Sequence, residues 1–107
     1  RVAMFGWTNN TVNTYGTTPI ADGIWHHLVG QRTGATTAEI YVDGVIDGNI
    51  SGYVGTADQT TSLRIGGMDY TSREYEGSIS NCKIYNRALT SVEIKQNYET
   101  QKSRYIN

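Results

Sequence analysis

The sequence has 107 residues, 37% of them hydrophobic, with eight tyrosines, twelve glycines and one proline. This length allows one domain with a modest core, and the composition favours β structure. A formal net charge of −1 gives no general attraction to nucleic acid, and no apolar run has the length of a membrane span. The composition therefore disfavours nucleic-acid binding and membrane insertion.

The first predicted elements are two short strands. Residues 1–8 are mostly apolar, and residues 11–15 are rich in β-branched side chains. Asn9 and Asn10 supply a turn between them, so we expect the two strands to form a hairpin. Residues 16–23, which contain the only proline, form a predicted loop.

Residues 24–33 form the third predicted strand. Alternation places Trp25 and Val29 on one face, and the other face also carries apolar residues, which is typical of a strand inside a sheet. The adjacent histidines His26 and His27 would point to opposite faces, so they would not bind one metal ion together. We interpret both as packing and hydrogen-bonding residues.

A second hairpin is predicted at the centre of the chain. Residues 36–42 and 45–50 have strand character and flank Asp43 and Gly44. This dipeptide tolerates positive φ at both central positions of a type I′ turn, which makes it the strongest local hairpin signal in the sequence. After it, a short strand is predicted at 62–66, between a polar loop and a loop at 67–76 that is rich in charge and tyrosine.

The last predicted strand covers residues 79–85 and contains the only cysteine, Cys82. One cysteine excludes an intramolecular disulfide, and its place in a strand predicts a buried, small apolar side chain. Ile79 is out of parity with Cys82 and Ile84, which predicts a β-bulge near Ser80.

A helix is predicted directly after this strand. Thr90 and Glu93 have the spacing of a capping box, and Leu89 and Ile94 have the spacing of a hydrophobic staple around it. We expect the helix to begin at Ser91 and to occupy residues 90–104 together with its cap. Many short strands followed by one helix predict an all-β, antiparallel β-sandwich with one short C-terminal helix.

Four sequence blocks, in this order, resemble laminin G-like domains of the concanavalin A-like lectin/glucanase superfamily. They are Ile-Trp-His-His-Leu-Val at 24–29, Ile-Tyr-Val-Asp-Gly at 40–44, Leu-Arg-Ile-Gly-Gly at 63–67, and Gly-Ser-Ile at 77–79 leading into Ile-Tyr-Asn-Arg-Ala-Leu-Thr at 84–90. The resemblance covers about residues 1–98 and implies a single jelly-roll domain over 1–107. It implies a core made of Trp25, Val29, Ile40, Val42, Ile65, Ile79 and Ile84.

The resemblance also implies that strands are missing. Laminin G-like domains have further strands before the position of Arg1, including the one that pairs beside the strand at 79–85. The chain would then be a fragment of a longer protein, or a neighbouring subunit would complete the sheet. Because an uncovered apolar edge invites pairing, we expect the strand at 79–85 to pair with residues 1–8 or with another polypeptide. The isolated chain should be poorly stable or self-associating.

The C-terminal residues 93–105 are similar to the ends of laminin G-like domains in structural proteins of tailed bacteriophages. This second resemblance implies a virion tail-fibre, baseplate or capsid-decoration protein that assembles with other subunits, as a homo-oligomer, on a virion surface. The alternative is an extracellular lectin-like domain that binds cell-surface glycans, with or without calcium.

Glycosidase chemistry is disfavoured by the sequence. Glycosidases of this superfamily resemble one another in a Glu-x-Asp-x-Glu strand, since a retaining mechanism needs two carboxyls about 5 Å apart. No such run is present. Glu39 and Asp43 straddle a strand and its turn, and Glu74 and Glu76 lie in a predicted loop. We predict that the chain is not an enzyme.

Two kinds of ligand remain open. Calcium is implied by the resemblance, and Asp22, Asp47, Asp58 and Asp69 lie in predicted loops, but no two of them have a recognisable ligand spacing. Calcium is therefore an optional ligand and no metal residues are assigned. For sugar, an exposed aromatic side chain beside planar polar groups is needed. The predicted ligand-binding cluster is Asp69, Tyr70, Arg73 and Tyr75. The alternative is a tyrosine-rich loop that packs on the sandwich edge.

Overall fold

Two antiparallel sheets and a C-terminal helix make up the described part of the fold. A computed structural model describes residues 2–7, 12–34, 36–50, 65–66 and 75–105. The elements are β1 (Met4–Trp7), β2 (Val12–Tyr15), β3 (Leu28–Arg32), β4 (Ala38–Val42), β5 (Val45–Ile50), the helix α1 (Ser91–Gln101) and a 3-10 turn (Lys102–Tyr105). The antiparallel sheets and the short C-terminal helix confirm the predicted fold class. No helix among these residues has the length and apolar character of a membrane span.

The first sheet is the predicted N-terminal hairpin. Strands β1 and β2 are antiparallel, with Met4 opposite Tyr15. The backbone N–H of Gly16 extends the ladder by donating to the carbonyl of Ala3 at 2.9 Å. The asparagine turn between these strands lies outside the described residues.

The second sheet has the order β3-β4-β5 and is also antiparallel. Asp43 and Gly44 join β4 to β5 with φ values of 52° and 82°. Both residues are therefore left-handed, as a type I′ turn requires, and the predicted hairpin is confirmed. A register irregularity between Ile40 and Tyr41 adds a bulge to the β4–β5 pair.

The core lies between the two sheets. Ala3, Ile40 and Val42 are buried, and Phe5 and Ile20 pack against them. Gly30 of β3 makes room for the Phe5 ring, since a Cβ built on it would lie 2.7 Å from ring atoms. Ile40 and Val42 therefore confirm two of the predicted core positions.

Trp25 is not a core residue, so that prediction is wrong. It is 39% exposed, and its ring packs against Tyr105 with the ring centroids 5.1 Å apart. The cause is the late start of β3, which begins at Leu28 and not at residue 24. The backbone N–H of His27 donates to the carboxylate of Asp43 at 2.9 Å, so the alternation of a strand does not apply before Leu28.

The predicted strand at 79–85 is also wrong for this structure. These residues form neither strand nor helix, and Ile79, Ile84 and Cys82 are exposed and not buried. Within the described residues 2–7, β1 pairs with β2 and shows no pairing with residues 79–85. Without a neighbouring ladder among the described residues, apolar alternation does not make a strand. Pairing with another polypeptide stays a prediction.

Two further predictions, a buried Ile65 and a β-bulge near Ser80, are wrong because neither residue lies in a strand. Ile65, a predicted core residue, is 54% exposed in a bend, and the rest of its predicted strand, residues 62–64, lies outside the described residues. The predicted bulge near Ser80 has no strand to interrupt, although Asn81 has a positive φ of 58°.

The predicted start and cap of the helix are confirmed, whereas α1 ends at Gln101 and is followed by the 3-10 turn. Helix α1 begins at Ser91, and Thr90 and Glu93 form both hydrogen bonds of the capping box. Ile94 is fully buried. The side chain of Gln31 on β3 accepts the Leu89 N–H at 2.9 Å and donates to the Leu89 carbonyl at 3.1 Å. The start of the helix is thereby bonded to the second sheet.

Candidate functional site

An open cleft of about 450 Å³ lies between the loop at 20–25 and the segment at 75–78. It is lined by Ile20, Ala21, Gly23, Ile24, Trp25, Tyr75, Glu76, Gly77 and Ser78. The loop side is mainly apolar, and the opposite side carries a phenol, a carboxylate and a hydroxyl. Ligand clefts combine apolar contact surface with polar groups that orient the ligand, and this cleft has both.

Two aromatic side chains of the cleft, Trp25 and Tyr75, pack against neighbouring residues and are also exposed to solvent. Trp25 packs against Tyr105 with an interplanar angle of 48°, and it remains 39% exposed. Tyr75 is 49% exposed, and its hydroxyl would lie 2.6 Å from a Cβ on Gly77. The Tyr75 ring thus lies close over Gly77. The backbone N–H of Tyr75 donates to the carbonyl of Gly66 at 2.7 Å. Both rings present aromatic surface to the solvent in the cleft.

The loop side of the cleft is held by three residues that we call the histidine clamp: Asp22, His26 and Asp43. His26 Nε2 lies 2.8 Å from Asp22 Oδ1, and His26 Nδ1 lies 2.8 Å from Asp43 Oδ2. Burial opposes a charge on the ring, but the hydrogen bonds to Asp43 and Asp22 outweigh it and raise the pKa of His26. The hydrogen bond from His26 in turn lowers the pKa of Asp22.

The N-terminal end of the same loop is held by Asp47. Its carboxylate accepts hydrogen bonds from the backbone N–H groups of Thr17 and Thr18, at 2.9 Å and 3.0 Å, and from both hydroxyls. Burial opposes the charge, but the hydrogen bonds from Thr18 and Thr17 lower the pKa of the Asp47 carboxyl. Asp47 lies in β5 and not in a loop, which corrects its predicted position.

These contacts bear on the calcium question for the described aspartates. The oxygens of Asp22 are engaged by His26, and those of Asp47 by the two threonines. No three His, Cys, Asp or Glu side chains of the described residues are placed so that they could hold one metal ion together. The carboxylates of Asp22 and Asp47 are therefore hydrogen-bonded within the protein, and Asp58 and Asp69 lie outside the described residues, so calcium binding stays a prediction.

The predicted sugar-binding cluster is described at one position. Tyr75 lines the cleft, and Asp69, Tyr70 and Arg73 lie outside the described residues. Sequence reasoning missed Ile20, Ile24 and Trp25 as lining residues. The signal that could have identified them is the Asp22-Gly23 turn dipeptide directly before Ile24, with Gly23 at a φ of 83°. This turn precedes the late start of β3, which leaves Trp25, a core position by the resemblance, outside the strand.

The carboxylates near the cleft do not form a described pair. Glu76 is the carboxylate among the described lining residues, and Glu74 lies outside them. Glu39 accepts a hydrogen bond from the buried Gln31 at 3.1 Å. A retaining glycosidase needs two carboxyls about 5 Å apart. Among the described lining residues the cleft has one carboxylate, that of Glu76. The absence of catalysis stays a prediction.

Comparison with known proteins places the fold in a family. Residues 1–95 match the laminin G model Laminin_G_3, described as Concanavalin A-like lectin/glucanases superfamily. Among solved structures, the chain is similar to an S-layer domain-containing protein (residues 221–444) from Clostridium thermocellum ATCC 27405, with a TM-score of 0.58 and 23% identity. That match covers 80% of this chain and 44% of the other, less than half of its length. At this identity the likeness shows the fold alone. The search of curated proteins found no match.

Proposed function

Because the chain belongs to the laminin G-like family of the concanavalin A-like lectin/glucanase superfamily, we propose that it is a non-catalytic binding module for adhesion at an extracellular surface. Laminin G-like and lectin-like domains are generally non-catalytic, although the superfamily includes glucanases. The observation that carries the proposal is the cleft with its two exposed aromatic rings, Trp25 and Tyr75.

Carbohydrate is the ligand class that this cleft suits best. The apolar face of a sugar ring packs on an aromatic ring, and its hydroxyls need nearby hydrogen-bonding groups. Trp25 supplies the ring, and Glu76 and Ser78 line the opposite side with acceptors and a hydroxyl. A glycan on a cell surface would therefore place one sugar between the two sides of the cleft.

The surface location draws support from the solved structure. That structure belongs to a protein named S-layer domain-containing, and the name fits a module displayed outside the cell. We extend this location to the present chain as part of the proposal.

A role in assembly is the second candidate. Ile79, Ile84 and Tyr85 expose 51%, 72% and 49% of their surface on one segment, which is typical of a face that contacts another chain. In this version the chain is a structural subunit of a virion tail fibre, baseplate or capsid decoration, built as a homo-oligomer. The exposed segment supports a role in assembly. The resemblance of residues 93–105 to structural proteins of tailed bacteriophages is the reason for proposing a virion.

The test of carbohydrate binding is a glycan array with three proteins: wild type, Trp25→Ala and Tyr15→Ala. Tyr15 is the control because it is a 54% exposed aromatic residue on β2 that does not line the cleft. We expect the wild type and Tyr15→Ala to retain the same glycans, and Trp25→Ala to bind them about tenfold more weakly.

Two results would contradict the sugar-binding proposal. One is a wild type that retains no glycan, with or without calcium. The other is an equal loss of binding in Trp25→Ala and Tyr15→Ala, which would place the contact outside the cleft.

A further inference from the structure

The histidine clamp has a geometry that requires a specific protonation state. Both ring nitrogens of His26 lie 2.8 Å from a carboxylate oxygen, one of Asp43 and one of Asp22. Ionised carboxylates only accept hydrogen bonds, so both ring nitrogens must donate. The ring that fits this geometry is therefore the doubly protonated imidazolium. Its side chain is 9% exposed, which strengthens both charge-assisted hydrogen bonds.

One end of the clamp is fixed to the second sheet. Asp43 is the first residue of the β4–β5 turn, and its backbone N–H donates to the carbonyl of His27 at 2.8 Å. Its second carboxylate oxygen accepts the N–H of His27 at 2.9 Å. Behind the turn, a Cβ on Gly44 would lie 3.2 Å from Tyr98 of α1. Strand pairing and the helix therefore both hold Asp43 in place.

The other end of the clamp is carried by the cleft loop. Asp22 lies between the lining residues Ala21 and Gly23, and its carboxylate accepts the N–H of Ile24 at 3.3 Å. Trp25 comes directly before His26. The His26 ring thus connects the loop that carries Ile24 and Trp25 to a fixed point of the sheet.

We propose that His26 is a positioning residue of the cleft: while doubly protonated it holds the loop at 20–25 against the β4–β5 turn, and loss of a ring proton releases the loop and weakens ligand binding. The effect on a ligand rests on the proposed function. The effect on the loop does not, because it follows from the clamp alone.

The charges around His26 determine the sign of the pH effect. The groups that act on it are Asp22 from its own loop and Asp43 from the turn. The segment at 75–90 contributes Lys83, whose charge acts on the neighbouring His27. Burial lowers the pKa of His27, so that ring gives up its charge at a lower pH than the His26 ring.

The clamp is stable over a defined pH window. The pKa of His26 is raised above 6.5, so its contribution is complete below 6.5 and is lost as the pH rises through the higher folded value. The pKa of Asp22 is lowered below 3.8, so its contribution is complete above 3.8 and is lost as the pH falls through the folded value. The loop is therefore held between the folded pKa values of Asp22 and His26, and it is released as the pH rises through that of His26.

The experiment is an NMR titration that follows the Trp25 indole N–H and the His26 ring. The variants are Asp22→Asn, His26→Gln and, as a control, His27→Gln. The chain has two tryptophans, Trp7 and Trp25, so Trp25→Phe assigns the Trp25 indole resonance by its disappearance. In the wild type and in His27→Gln, the Trp25 resonance should shift with a midpoint above 6.5. Asp22→Asn should lower that midpoint, and His26→Gln should abolish the transition.

Two NMR results would overturn the proposal. The first is a His26 ring that titrates at or below 6.5 in the wild type. The second is a Trp25 resonance that is insensitive to the His26 titration in a protein whose remaining spectrum stays folded.

Glycan retention separates this proposal from the proposed function. We expect wild-type binding to fall by about fivefold or more as the pH rises through the midpoint that NMR gives for the His26 ring. Equal binding below and above that midpoint would overturn the positioning role and leave the binding function standing. A Trp25 transition as expected, with no glycan bound at any pH, would support the positioning of the loop and overturn carbohydrate binding.

Discussion

Single residues connect the N-terminal hairpin to the second sheet. A Cβ built on Gly48 of β5 would collide with the backbone carbonyl oxygen of Tyr15 on β2. The preceding residue, Asp47, accepts hydrogen bonds from Thr17 and Thr18, which follow β2. Gly48 therefore permits the close approach of two backbones, and Asp47 holds the loop that follows.

Gly48→Ala should lower the free energy of unfolding by about 1–3 kcal/mol, because the added methyl group meets a backbone carbonyl that cannot rotate away. Gly34→Ala is the matched control. Its Cβ would meet the rotatable hydroxyl of Thr37 at 2.9 Å, so its effect should be about 0.5 kcal/mol or less. Urea denaturation of the two variants beside the wild type measures both values. Equal stability of Gly48→Ala and Gly34→Ala would refute the close approach.

Among the elements, helix α1 has the most strongly specified start. Thr90 Oγ1 accepts the Glu93 N–H at 3.1 Å, and Glu93 accepts the Thr90 N–H at 3.0 Å. Arg87 adds a two-pronged ion pair to the same carboxylate, at 2.9 Å and 2.6 Å. Gln31 bonds both backbone groups of Leu89, one residue before the cap. The helix start is thus specified by its own sequence and also bonded to β3.

Thr90→Ala should cost about 1 kcal/mol of folding free energy, since it removes the hydroxyl that accepts the Glu93 N–H. Thr100→Ala in the same helix is the control. The Thr100 hydroxyl donates to the Gln96 carbonyl one turn earlier and caps nothing, so alanine there should be neutral or slightly stabilising. Chemical denaturation followed by circular dichroism compares the two.

The pH dependence of the cap is a second readout of this prediction. Hydrogen bonds from Arg87 and from the Thr90 backbone lower the pKa of Glu93 from 4.5 to about 2. The stabilising contribution of Glu93 is therefore complete above 4.5 and is lost as the pH falls through about 2. The prediction fails if Thr90→Ala and Thr100→Ala are equally stable, or if Glu93 titrates near 4.5 in the wild type.

For the whole molecule, the exposed apolar segment at 79–85 is the main departure from a closed sandwich. Its residues Ile79, Ile84 and Tyr85 face solvent, and the strand expected to pair with it, β1, is paired with β2. Apolar surface of this kind favours association, because its burial releases ordered water. Self-association of the isolated chain is therefore still expected.

Ile84→Lys should shift the isolated chain toward monomer in size-exclusion chromatography with light scattering. Because Ile84 is 72% exposed, the free energy of unfolding should change by about 0.5 kcal/mol or less. Val92→Lys is the matched control, a 63% exposed apolar residue on α1, and it should leave the association unchanged. A wild type that is monomeric at all concentrations would disprove the expectation, as would an equal effect of both lysine variants.

The sequence by itself determined the features that depend on neighbouring residues. The Asp43-Gly44 turn and the capping box of Thr90 and Glu93 were predictable, because their φ preferences and hydrogen bonds act over a few residues. The first hairpin was predictable because its two short strands follow each other closely in the sequence. The family blocks were recognisable for a similar reason, since they consist of such local units in a fixed order. The predicted fold class followed from them.

The tertiary structure decided which apolar residues are buried and how the cleft is built. The bond between Gln31 and Leu89 spans 58 residues, and the bond between His26 and Asp43 spans 17, so neither leaves a local sequence pattern. The alternating apolar residues around Trp25 and Ile84 predicted strands with a buried face. A strand forms only when a neighbouring strand supplies hydrogen-bond partners for its backbone. Before β3, the His26 ring is bonded to two carboxylates, and among the described residues the segment at 79–85 has no strand beside it. Trp25 and Ile84 are therefore exposed in spite of the alternating pattern.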